Sequence, residues 1–134
     1  MSDEQAEAMM RFTQAVGGAI LSLPDLAEHE WDTFALAAEV TDDSCAMTAY
    51  RYTSGGPPVS VEPPESDDDF WDLRDATHGP NGETWEVAVV KVDRATMGLV
   101  TEFYSGQDAD RFRLAPETME TIAEALRPTA ADFA

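Results

Sequence analysis

The sequence predicts an α+β domain: an antiparallel sheet of four to six strands with three helices (N-terminal, middle and C-terminal) packed mainly on one face. Three observations carry this. Apolar residues at Met9, Phe12, Val16 and Ile20 recur at helical spacing, whereas several later stretches alternate with period two. The chain is 43% hydrophobic, with three tryptophans and six phenylalanines, which is too apolar for a disordered acidic polymer. Its 134 residues suit one core burying roughly two thirds of the unfolded surface, so residues 1–134 are expected to form a single domain.

The first helix is expected from Glu4 to Leu23, with Pro24 and Asp25 ending it. A strand follows with Phe34, Leu36, Ala38 and Val40 on one face. Thr41 to Asp43 read as the turn into a second strand, in which Cys45, Met47 and Ala49 alternate with Thr48, Tyr50 and Tyr52. "SGGPP" breaks that strand and leaves "VSV" as a short edge piece before Pro63 and Pro64. Ser66 is the expected N-cap of the middle helix. Asp67, Asp68 and Asp69 fill its first turn, Phe70, Leu73 and Thr77 share one face, and Gly79 with Pro80 stops it. "TWEVAVVKV" is apolar on both faces, with Trp85, Val87 and Val89 on one and Ala88, Val90 and Val92 on the other, as expected of a central strand. Asp93 to Thr96 close a hairpin onto "MGLVTEFY", where Leu99 and Phe103 point to the same side. "RFRL" is a candidate for a brief last strand. Pro116 then opens a C-terminal helix whose buried stripe is Met119, Ile122, Ala123 and Leu126, and the tail after Pro128 is expected to fray.

Charge narrows the function classes. Lys91 and seven arginines face 27 acids, a net −19, so the surrounding field repels phosphate and anionic lipid. Neither nucleic acid nor a membrane surface is an expected partner; a basic protein is. The acid is clustered: residues 25–43 hold seven acids and no base, residues 62–75 hold seven with only Arg74, and residues 44–61 hold none. Cys45 is alone, which suits a reducing compartment, and no stretch reaches the roughly 20 apolar residues of a membrane span. "AVGGAILSL" has the length of a signal-peptide core, but acids precede it and it reads as the end of the first helix. The cytoplasm is the expected location.

Motifs of catalysis are weak. Asp68, Asp69 and Asp72 spell D-D-x-x-D, a magnesium-diphosphate signature, yet the chain lacks the length, the all-helical pattern and the second acidic motif that this chemistry needs. The triplet is explained by the favourable interaction of carboxylates with the unpaired amides of a helix start. Neither "SDDDFWDLRD" nor "SGQDADRFRL" has the central Gly of a calcium loop, His29 and His78 have no metal-ligand spacing, and "SGGPP" does not cradle phosphate. No metal, cofactor or catalytic residue is expected. Trp31 and Trp85 open strands and suit the core edge, whereas Trp71, among carboxylates, is either an exposed protein-contact anchor or folded against the sheet edge.

Several strings together resemble the YezG-like antitoxin family: "LPDLAEHEWDTFALAAEVTDDSCAMTAYRY" its opening, "DDDFWDLRDA" its middle acidic helix, and "ETWEVAVVKVDRATMGLVTEFYS" its Trp-led hairpin before the closing helix. The resemblance implies a small acidic cytoplasmic immunity protein that binds and silences an exported toxin, commonly a nuclease, without catalysis. The second strand is poorer in aromatics than the family pattern and the middle helix is short and proline-led. No contact residue is carried over. From charge and position, the partner-binding candidates are Asp42, Asp43, Asp67, Asp68, Asp69, Asp72, Asp75, Asp108 and Asp110, with Trp71 as aromatic anchor. Two other classes fit the composition: a salt-adapted housekeeping or structural protein, and a small metal-dependent hydrolase built on the aspartate cluster.

Overall fold

The structure, a computed structural model, describes residues 3–77 and 84–133. The chain runs α1 (Asp3–Leu21), α2 (Pro24–Glu28), β1 (Thr33–Val40), β2 (Cys45–Tyr52), β3 (Val59–Val61), α3 (Asp68–Ala76), β4 (Val87–Asp93), β5 (Gly98–Tyr104), a 3-10 helix (Gly106–Phe112), α4 (Ile122–Ala125) and a closing 3-10 turn (Ala130–Phe133). The strands form one antiparallel sheet in the order β3-β2-β1-β4-β5. His78, Gly79 and Pro80, the last two the expected stop of α3, lie outside the described residues.

One face of the sheet carries Phe34, Leu36, Ala38, Val40, Ala49, Ala88, Val90 and Val92, covered by α1, α2 and α3 through Phe12, Val16, Ile20, Leu26, Phe70 and Leu73. Burying each large side chain here contributes about 1.5–3 kcal/mol. Beneath the opposite face, Ala35, Ala37, Tyr52, Val87 and Val89 pack on Ala109 and Phe112 of the 3-10 helix and on Ile122 and Leu126. The C-terminal elements therefore cover the face away from α1–α3, which is why β1 is buried on both sides. Tyr52 ties them down, its hydroxyl donating to the carbonyl of Ala123 at 2.7 Å.

Several sequence expectations shift. Pro24 does not merely end α1; it occupies the first turn of α2, where its missing N–H costs nothing. The N-cap of α3 is Asp67, with the Ser66 hydroxyl accepting from the Asp68 amide at 3.3 Å. Trp85 packs with Ala88 and Val90, not with Val87 and Val89. The amide of Glu86 reaches the Tyr104 carbonyl that already lies opposite Val87, so two residues of this strand face one of β5, a bulge that resets the alternation. The β4–β5 turn is Arg94 to Met97, one residue later than expected, with Met97 at φ 56°. "RFRL" adds no strand: Arg111 and Phe112 end the 3-10 helix and put the Phe112 ring into the core. The C-terminal helix shrinks to Ile122–Ala125; Ile122 and Leu126 are buried as expected, but Met119 stands 74% exposed on the preceding turns and Ala123 is half-buried. After Pro128 the chain turns back, and the Asp132 carboxylate meets Lys91 at 3.2 Å.

Candidate protein-binding site

Helix α3 has two faces because Phe70 and Leu73, three apart, are buried against α1 and the sheet, the Phe70 ring meeting Phe12 edge-on at 5.1 Å. That rotation turns Asp68, Asp72 and Asp75 to solvent. Asp69 instead leans toward α1. With Asp72 it lines a groove of about 250 Å³ whose other walls are Ala8, Arg11, Phe12, Ala15 and Leu73. Burial, then the neighbouring Asp72 and Asp68 charges, raise the Asp69 carboxyl above its ordinary pKa.

Arg74 fastens this helix to the β1–β2 turn. One guanidinium nitrogen donates to the Thr41 carbonyl at 2.8 Å and stands 3.7 Å from Asp42; another donates to the Thr84 hydroxyl at 2.9 Å. Asp42 and Asp43, both exposed, are thereby set beside α3. Asp67 lies close enough to Cys45 that its charge, second to burial, helps push the thiol up to about 11. Trp85 backs the same end, donating its indole N–H to the Thr77 hydroxyl at 2.9 Å.

The structure thus brings together Asp42, Asp43, Asp67, Asp68, Asp69, Asp72 and Asp75. Trp71 is half-buried and packs against the core, so only part of its ring is free to anchor a partner. Asp108 and Asp110 belong to the 3-10 helix beneath the opposite face. Asp108 is exposed, but Asp110 is engaged by Arg113 at 3.0 Å, within a cluster where the same guanidinium also meets Glu39 at 3.3 Å and Glu86 at 3.0 Å. The hydrogen bond from the Gly106 amide, then that from Arg113, hold the Glu86 carboxyl below its ordinary range. Sequence reading missed this cluster, since its four members span residues 39 to 113 and share no local pattern. It also missed the clamp role of Arg74, for which the solitary base among the acids of residues 62–75 was the available signal.

Acid is not confined to this end of the molecule. Asp25, Glu28, Glu30 and Asp32 occupy α2 and the loop leading into β1, while Glu117, Glu120 and Glu124 lie on the C-terminal segment beneath the other face. Among the described residues, no group of three or more His, Cys, Asp or Glu side chains is arranged to hold a metal ion, and no helix is long and apolar enough to cross a membrane. Comparison with protein-family models finds no match to the chain, and a search of curated proteins finds none either.

Proposed function

We propose that this chain is a non-enzymatic, cytoplasmic immunity protein that neutralises a cognate basic toxin, a nuclease being the expected class, by covering it with acidic surface. The observation that carries this reading is the end built by α3 and the β1–β2 turn. Exposed carboxylates of Asp42, Asp43, Asp68, Asp72 and Asp75 stand there, and Arg74, the base within α3, is already engaged in holding the turn. A nuclease concentrates positive charge where it binds phosphate, and preformed carboxylates steer such a surface into contact and deny it to nucleic acid.

Co-purification with the toxin domain encoded beside this chain tests the reading. A complex is expected at low salt, with an association rate about tenfold or more slower when Asp42, Asp68, Asp72 and Asp75 are all replaced by Asn, because steering depends on net charge at the approach. No complex at low salt with any neighbouring product would overturn it. One observation favours a second reading, salt adaptation: carboxylates also occupy the α2 region and the C-terminal segment. Melting in dilute buffer separates the two, since a salt-adapted chain loses its fold there through self-repulsion and an immunity protein keeps it.

A further inference from the structure

We infer that the outer edge of β5 is a strand-addition site, and that its occupant is an extended segment of the basic partner proposed above, on which reading the inference rests. The two edges of the sheet are built differently. The β3 edge is blunt: three residues, with Pro57 and Pro58 before it and Pro63 and Pro64 after. At the other edge, β5 runs for seven residues, "GLVTEFY", with no proline and no lysine. Edge strands of that length and composition are ordinarily covered or charged, because unpaired backbone groups template another strand.

Sheet parity identifies the free groups. The Val40 amide bonds the Glu86 carbonyl, so alternate β4 residues, Ala88, Val90 and Val92, face β1. Val87, Val89, Lys91 and Asp93 then face β5 and pair with Tyr104, Glu102, Val100 and Gly98. That leaves the N–H and C=O groups of Leu99, Thr101 and Phe103 directed outward, and no described residue outside the strand bonds to them.

Charge selects the occupant. The edge strand carries Glu102 and no base, and the one lysine behind it, Lys91, is already held by Glu102 at 3.1 Å and by Asp132. Near the edge, Asp93 at the end of β4 and Asp108 beyond β5 stand beside the exposed bases Arg94 and Arg111, and Asp110 is already paired with Arg113, so the preference for a cationic occupant comes from the net charge of the whole chain. A second copy would set −19 against −19, whereas a cationic strand meets a net attraction.

Thr101→Pro is the discriminating variant. It removes an outward N–H, which an edge strand tolerates, whereas Val100→Pro removes an N–H paired with β4 and should unfold the chain. Hydrogen exchange on the free protein should show fast amides at Leu99, Thr101 and Phe103 beside protected ones at Val100 and Glu102. With the toxin domain encoded beside this chain as probe, those three amides should become protected, and the folded Thr101→Pro variant should bind about 10- to 100-fold more weakly. Binding within threefold of the natural chain, with the three amides unprotected, overturns the strand-addition site and leaves the immunity reading standing. Absence of any complex with the natural chain overturns both. Concentration-dependent protection of these amides in the chain alone assigns the edge to a second copy and overturns the basic occupant.

Discussion

Replacing Lys91 by Met should destabilise the fold by about 2–3 kcal/mol at neutral pH, an estimate that rests on the partners its ammonium leaves behind. Lys91 is 7% exposed, and its Nζ stands 3.1 Å from Glu102 and 3.2 Å from Asp132. Each contact has a gross attraction of about 5 kcal/mol at the effective dielectric suited to proteins, largely offset by removing the ammonium from water. Breaking a buried pair by deleting one member costs about 3–5 kcal/mol. The cost here falls at or below the lower end: the Glu102 side chain is 30% exposed and can turn to water, and Asp132 keeps the Thr129 amide at 2.7 Å. Met preserves most of the apolar stem, so the loss reports the charge. Urea unfolding should give that difference directly, and thermal unfolding a drop of about 10 °C. The pH dependence has a definite sign. Burial would raise the Asp132 carboxyl, but the Thr129 and Lys91 hydrogen bonds win and hold it below its ordinary 3.8. A carboxylate with a depressed folded pKa stabilises above its unfolded value and loses that contribution as pH falls through the folded one. Burial would likewise lower the Lys91 pKa, yet Glu102 and Asp132 raise it, so its contribution persists below the unfolded value and is lost only in strong alkali. The variant's deficit should be full from about pH 5 to about pH 10 and shrink below about pH 4. A deficit under about 0.5 kcal/mol at pH 7, the scatter of ordinary surface substitutions, or one unchanged at pH 3, would mean that the Lys91 ammonium does not hold Glu102 and Asp132 as described.

Phe70→Ala should cost about 3–5 kcal/mol in urea unfolding, because a ring 2% exposed and seated on Phe12 leaves a cavity between α3 and α1; a loss below 1 kcal/mol would mean α3 is not packed as described. Cys45, with its thiol pushed to about 11 by burial and then Asp67, should alkylate at pH 7 about 100-fold more slowly than an ordinary thiol, and parity with the urea-unfolded chain would contradict its placement. Met97→Gly should stabilise by about 0.5–1 kcal/mol, measured the same way, since Met97 is 55% exposed and holds a left-handed backbone that glycine adopts without a Cβ clash; destabilisation would show that the side chain does more than occupy the turn.

By itself the sequence determined the α+β class, the strands and their pairing in two hairpins, the buried stripe of α1 and the acidic helix start, because each is a local pattern. Helical spacing at Phe12, Val16 and Ile20 and period-two alternation from Phe34 to Val40 place apolar atoms on one side whatever the rest of the chain does. Where the reading slipped, long-range contact overrode local preference. A β-strand pattern at Arg111–Leu114 lost to the burial of Phe112 beneath Val87 and Val89. Trp85 changed faces through a bulge that no periodicity encodes. Met119 fell outside the core because the last helix formed only where Ile122 and Leu126 meet the sheet. Tertiary structure alone decided which acids act together. Arg74 gathers Asp42 to α3, Arg113 engages Asp110 with Glu39 and Glu86, and the lone lysine is enclosed by residues 102 and 132. Charge composition is fixed by the residues present, but the direction of a field depends on distances between side chains remote in sequence, and only folding sets those.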